Sequence, residues 1–414
     1  MTTETQLPEA DCPALALPPL RRNLKFQAYW AGATAGAVGM GISNLAFPLL
    51  ILAMTGSPGQ AAVFSALQVG TQMALGMPSG ALADRFNRRT LLITAEALRF
   101  GMIATVAVAL SLGTPTMAHL FAVAVGLGAA QALGAPSRAL VLRSIVPKEQ
   151  LTQALSQDEA RVSVAGLLGP LLAGALFAVA RTAPFVLALV GFLVSLCTAS
   201  AVRFDGRPAA GTGKARGGAF LGLRVLWQNR TLRAVTAVAA TVNLAGAATI
   251  LITVVTLQQH HSSTAVGFAL AGEAVGGIIG ATLISRLHTL MQPGKLLLTA
   301  CWLCVPLLAG LAVPAGPIWV FALLLAVATG MPALMVMIDI LVFRAVPDEV
   351  RGRVIAGTFM AFSVGTPLGS LLAGLLLDTF SPQTAVLIVC ALLTVPLLAA
   401  SAQRSLREAV WPAE

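Results

Sequence analysis

The residues able to do chemistry in this 414-residue chain are few, and most of them stand alone. Glu273 is the sharpest. It lies about ten residues into an apolar run, and no basic residue follows within two helical turns. In a membrane-spanning helix, rising ~1.5 Å per residue, that depth is roughly 15 Å, near the bilayer midplane. An ionisable group there is costly and is usually functional. Such a carboxyl could take up and release a proton, bind a substrate, or be a protonated group hydrogen-bonded inside the bundle. Glu96 and Arg99, spaced i, i+3, read as an internal pair on one helix face, with a structural role the first expectation. Asp339 lies about one turn inside the end of another run. With Glu273 these three complete the ionisable candidates for proton coupling or substrate binding. Arg138, Asp158 and Arg161 lie at comparable depths, where ion pairing and snorkelling to the interface are the two readings.

Neutral polar groups inside apolar runs are candidates for lining a cavity: Asn44, Gln68, Gln72, Gln131 and Asn243, with apolar contact from Met335, Phe359 and Phe362. Buried amides equally often cross-link helices. Because no cluster of one charge accompanies them, such a pocket suits a fairly neutral, bulky molecule. Other chemistry is not supported. Cys301 and Cys304 form a C-x-x-C inside an apolar run with no second pair, which reads as packing and not as a metal or redox site. His260-His261 alone cannot hold a metal. The chain has no G-x-x-x-x-G-K-[ST] phosphate loop, so ATP hydrolysis is not expected. No catalytic residue, enzyme activity, cofactor or metal is expected, and energy must come from an ion gradient or the substrate's own.

The elements that must position these residues follow from composition. Hydrophobic residues make up 57% of the chain and charged residues 10%, against about a quarter charged in a soluble protein. That is too little charge for a water-facing surface. It excludes a cytosolic enzyme, a secreted disulfide scaffold and a disordered regulator. The excess of 26 Lys and Arg over 16 Asp and Glu then fits cytoplasmic loops and not a nucleic-acid partner.

Runs long enough to cross a membrane, about 20 residues each, fall at 28–54, 61–83, 90–112, 117–142, 156–180, 183–202, 232–257, 263–285, 296–313, 317–343, 354–377 and 383–402. All twelve should be helices, since lipid cannot satisfy free backbone groups. One set of connections is short and nearly free of basic residues. The other carries Arg85, Arg88, Arg89, Arg143, Lys148, Arg286, Lys295, Arg344, Arg351 and Arg353. The positive-inside rule then puts both termini in the cytoplasm of a cell (inner) membrane. The expected divisions are a tail at 1–27, six spans at 28–202, a linker at 203–231, six spans at 232–402 and a tail at 403–414. The linker begins Gly- and Ala-rich; Phe220, Leu223 and Trp227 then suggest a short interfacial amphipathic helix, or simply a basic loop.

The two halves repeat at an offset of 200 residues. Gly80-Ala81 recurs as Gly280-Ala281, Val146-Pro147 as Val346-Pro347, and Gly169 with Leu171–Gly174 as Gly369 with Leu371–Gly374. Parallel six-helix repeats are a pattern of transporters that rock about a midplane site. On helix 5, Gly166, Gly169 and Gly174 leave a small face, and Pro170 removes a helical hydrogen bond; together they permit close approach and a local bend. Gly272, Gly276 and Gly280 make a similar stripe on helix 8. For each glycine taken singly, ordinary tight packing is the stronger reading.

Gly80-Ala81-Leu82-Ala83-Asp84-Arg85-Phe86-Asn87-Arg88-Arg89 resembles the loop signature between helices 2 and 3 of the major facilitator superfamily, with Asn87 at a customary Gly. Asn tolerates positive φ, so the turn is expected to survive. The resemblance makes Gly80, Asp84, Arg85, Arg88 and Arg89 a conformational gate. Asp84 would pair with arginines or a helix N-terminus and latch the halves at the cytoplasmic mouth. The arginines could instead serve only topology and lipid headgroups. Gly169-Pro170-Leu171-Leu172-Ala173-Gly174 resembles the helix 5 antiporter motif, which is associated with exporters. The helix 4 Arg of many proton-driven drug antiporters is absent, Ala122 lying four residues before Gly126. The regions 136–151, the Pro147 and Pro347 loops and 222–233 are similar to the enterobactin-exporter and macrolide-efflux branch. The resemblance implies an all-α membrane protein of twelve helices in two pseudo-symmetric halves, exporting a siderophore or a drug by proton antiport with alternating access. Its partners would be a small-molecule substrate, protons and the lipid bilayer, and it would act as a monomer. A siderophore is slightly favoured, since a neutral cavity suits a neutral metal-free chelator. A nutrient importer and a non-transporting sensor of the same fold are the alternatives.

Overall fold

The computed structural model describes residues 20–202, 224, 226–290, 292–336, 340 and 348–403. Among these, the ordered elements are helical and no strand occurs. The first half comprises α1 (Leu24–Thr55), α2 (Pro58–Arg85), α3 (Arg88–Ser111), α4 (Met117–Ile145), α5 (Leu151–Val179) and α6 (Ala183–Ala201). The second comprises α7 (Arg230–His260), α8 (Ser263–Leu290), α9 (Pro293–Ala309), α10 (Pro317–Thr329), α11 (Asp348–Ser363), α12 (Gly365–Thr379) and α13 (Pro382–Ser401). Helix α10 continues into 331–336, and α11 with α12 forms one span.

The boundaries are set by caps. Asn23 accepts a hydrogen bond from Phe26 N at the start of α1, Ser57 from Gln60 N at α2, Thr116 from His119 N at α4 and Ser381 from Thr384 N at α13. Each satisfies one of the orphan N–H groups at a helix start. Helices α2, α6, α9, α10 and α13 also carry Pro in the first turn, where its missing N–H costs nothing. Gly56 ends α1 in the left-handed region at φ 65°. The break between α11 and α12 has a local cause: Pro367 has no N–H to give the carbonyl of Ser363.

Eleven helices are long and apolar enough to cross a membrane among the described residues. Helix α2 has the length, 28 residues, but carries Gln60, Ser65, Gln68, Thr71 and Gln72. The packing repeats between halves. Helix α1 lies against α5 and α6, and α7 likewise against α12 and α13. The pairs α2–α4 and α3–α4 have the twins α8–α10 and α9–α10, and α3–α6 has the twin α9–α13. The two largest contacts between the halves are α5 on α8 and α2 on α12, exchanged by the same pseudo-two-fold, and α7 adds smaller ones to α1 and α2.

Candidate functional site

Between the halves lies a cavity of about 580 Å³, within the usual range for small-molecule sites, roughly 300–1,000 Å³. Its walls come from α1, α2, α5, α7, α8 and α12. Apolar groups dominate, and the polar set is Asn44, Ser65, Gln68, Ser163, Glu273, Thr366 and Ser370. Glu273 is open to this space and is the one ionisable residue among the walls. Among the described residues its carboxyl makes no hydrogen bond or ion pair. Asn44 and Gln68, two of the polar residues expected to line a cavity, are among these walls, as is Glu273. The hydroxyls of Ser65, Ser163, Thr366 and Ser370 went unnoticed in sequence; serine and threonine inside apolar runs were the available signal.

Other candidates lie elsewhere. Asn243 lines a smaller chamber of about 250 Å³ inside the second half, together with Met335, and its Nδ2 donates to the carbonyl of Ala239 at 3.1 Å. Gln72 is not among the walls of either chamber. Phe362 is buried in the core, edge-on to Phe359 with centroids 5.1 Å apart. Gln131 cross-links helices: its Oε1 accepts from Arg99 Nη2.

That bond belongs to a buried ionic network in the first half. Glu96 Oε1 receives Arg99 Nη1 and Arg138 Nη2, each at 2.9 Å. Glu96 and Arg99 are 1% and 2% exposed, so each charge needs its partner. The Tyr29 hydroxyl on α1 donates to the carbonyl of Arg138 at 3.3 Å, which ties α1, α3 and α4 together. On α5, Arg161 pairs with Asp158 at 2.8 Å, and its Nη1 donates to the Ala33 carbonyl of α1 at 2.9 Å. The Glu96–Arg99 pair expected from i, i+3 spacing exists, and Asp158 and Arg161, for which ion pairing and snorkelling were both open, form a second such pair. Arg138, 42 residues from Glu96, completes the first only through tertiary packing.

The glycine stripes are contact surfaces. At the end of the bundle with the short α1–α2 and α7–α8 loops, a Cβ on Gly174 would meet Ser263 O at 2.3 Å, and one on Gly267 would meet Pro170 O at 2.2 Å. The twin residue Gly374 packs on Gly59 and Ala62 of α2. These contacts draw the halves together at the short-loop end. There the Asp378 carboxylate stands against the start of α2, Oδ2 only 2.7 Å from a Cβ built on Gly59. Gly169 and Gly369 instead pack within their own halves, on Gly41 and on Leu244. Gly272, Gly276 and Gly280 seat α8 on carbonyls of Phe321, Leu325 and Thr329. Gly166, by contrast, touches only Ala274 at 3.9 Å and lines the cavity with Pro170.

In the α2–α3 connection the helical backbone includes Gly80, Asp84 and Arg85, but their side chains lie outside the described residues, as does Asp339. The expected left-handed turn at Asn87 is corrected. Its φ is −62°, and it caps α3, its Oδ1 accepting from Arg89 N at 2.9 Å. The amide thus contributes a cap and not conformational freedom. Arg89 Nη2 donates to the Ser200 carbonyl in the last turn of α6 at 2.6 Å, a favourable place for a cation. Arg88 is half-buried beside it.

The family model described as Major Facilitator Superfamily matches residues 29–356 and 236–403. The multidrug efflux pump Tap of Mycobacterium tuberculosis is 28% identical over 359 residues, covering 83% of this chain and 84% of that protein. The enterobactin exporter EntS of Escherichia coli is 24% identical over 281 residues, covering 67% of each. Among solved structures, a bacterial homologue of the iron transporter ferroportin in an inward-facing state superposes with TM-score 0.72 at 17% identity, over 93% of this chain and 100% of that one. A bacterial homologue of the lysosomal transporter Spinster gives 0.69 at 15%, over 95% and 99%.

Proposed function

The chain belongs to the Major Facilitator Superfamily, and we propose that it exports small organic molecules across the cell membrane by proton-driven alternating access. The observation that carries this reading is the cavity between the halves with Glu273 as its one ionisable wall residue. Positive-inside topology orients the molecule with both termini and the central linker in the cytoplasm. The closely packed short-loop end is then the outer seal, so this conformation receives substrate from the cytoplasm. Rocking of the halves on the α5–α8 and α2–α12 contacts would open the other face. A carboxyl that binds a proton from outside and gives it up inside would link each turnover to the proton gradient. The Asp84 latch would hold the cytoplasmic mouth shut in the opposite state, and the chain would act as a monomer.

Drug efflux is the better supported of the two substrate readings. The similarity to a multidrug pump extends over more of the chain than that to the enterobactin exporter. The test is uptake of a labelled drug panel into everted membrane vesicles energised by a proton gradient. Energised uptake should fall at least about tenfold in Glu273→Gln, a loss of about 1.4 kcal/mol or more. Uptake indifferent both to a protonophore and to this substitution would defeat proton coupling at Glu273. Normal siderophore secretion by an iron-limited deletion strain is expected; a secretion defect would restore the siderophore reading.

A further inference from the structure

Glu273 faces two spaces. It lines the central cavity, and with Ala247, Ile250 and Thr366 it also lines the chamber of about 250 Å³ inside the second half. That chamber is walled by Gly246 of α7 and by Leu324, Val327, Met331 and Met335 of the tenth span. It is smaller than the roughly 300 Å³ at which whole-ligand pockets begin, yet ample for an apolar arm. Methionine walls suit an arm of variable shape. Two glycines show that the space is real. A Cβ at Gly246, in the side chamber, or at Gly277, in the central cavity, meets nothing within 4 Å. Elsewhere on α8 and α12, glycines admit a close backbone, as Gly276 admits Leu325 O at 2.2 Å.

We propose that the side chamber is a tail subsite, and that the protein takes amphipathic monocations whose cationic nitrogen pairs with Glu273 while the body fills the central cavity and an apolar arm enters the chamber. The proposal rests on the export reading of the central cavity and adds the substrate class. Charge selects the head: Glu273 is the one ionisable wall residue of either space, and an unpaired carboxylate away from water gains from a cationic partner. Apolar walls select the arm, each buried methylene being worth about fourfold in affinity.

The experiment measures binding of butyl-, hexyl- and octyl-trimethylammonium to the full chain in lipid nanodiscs, with wild type, Glu273→Gln, Gly246→Ala and Gly246→Leu. In the wild type, affinity should rise with chain length. Glu273→Gln should weaken all three probes by a similar factor, about tenfold. Gly246→Leu should leave the butyl compound within about twofold and abolish the gain from butyl to octyl, with Gly246→Ala intermediate. Unfolding temperatures check that the variants fold, and Gly246→Ala keeps the test available if the larger plug does not. A chain-length gain that survives both glycine variants overturns the tail subsite. Equal binding by wild type and Glu273→Gln overturns the head pairing. Vesicle export of the same probes is read separately: binding as expected without energised transport defeats export and leaves the subsite standing.

Discussion

The two halves follow one packing plan, yet equivalent positions carry different chemistry. In the first half Glu96, Arg99, Gln131 and Arg138 form an ion-paired, largely buried network. At the offset of 200 residues, positions 96, 99 and 131 become Leu296, Thr299 and Met331. Leu296 is buried in the core, and Met331 is a wall of the side chamber. So the first half uses charge to lock three helices together, whereas the second is uncharged at these positions and leaves a space beside Met331. Its own membrane-depth carboxylate, Glu273, faces that space without a partner among the described residues. At position 73 the first half has a methionine. A paired buried charge belongs to stability, and an unpaired one facing a cavity is free for a ligand or a proton.

The largest expected effect separates those two carboxylates. Glu96→Ala should destabilise the protein by about 3–5 kcal/mol, because two guanidinium groups lose their buried counter-charge. Glu273→Ala should change stability by no more than about 0.5 kcal/mol. Denaturant unfolding in lipid or mild detergent measures both, and comparable losses would break the contrast. The second test concerns what the halves share. Gly174→Leu and Gly374→Leu each force a side chain into a backbone contact across the short-loop seal, an overpacking of about 1–3 kcal/mol. Both should shift the ensemble toward the state opened at that end, read as longer spin-label distances between α5 and α8. If only one variant shifts it, the two crossing contacts are not equivalent. The smallest effect lies in the α2–α3 connection. Asn87→Ala should cost about 1 kcal/mol, and Asn87→Gly only a few tenths. A larger penalty for Gly than for Ala would contradict the capping role.

The extent to which each feature could be read in advance depends on its range. The i, i+3 pair Glu96–Arg99 was legible because helix periodicity alone brings such residues together, and the same spacing holds the Asp158–Arg161 pair that depth alone left open. Asn44 and Gln68 were legible as cavity candidates because polar groups are rare in these spans. Gln131 has the same signature, but the rotation of α4 against α3 turns it to Arg99. Gln72 and Phe362 lie off the walls of both chambers for the same reason: sequence locates their span but not the face that packing turns toward the cavity. Asn87 was read through the backbone freedom of the glycine it replaces, while its amide acts as a cap.

The sequence by itself determined that this is a bundle of membrane helices in two repeated halves. Apolar run length against bilayer thickness is a one-dimensional property, and so is a fixed repeat offset. It also singled out Glu273, since one carboxylate in a long apolar run stands out without coordinates. Only the tertiary structure decided that Glu273 lies between two chambers and that Arg138 closes a network with Glu96. It alone showed that Gly174 and Gly374 seal one end while Gly166 borders open space. These depend on how helices cross and rotate, which is set by many weak side-chain contacts between residues far apart in the chain.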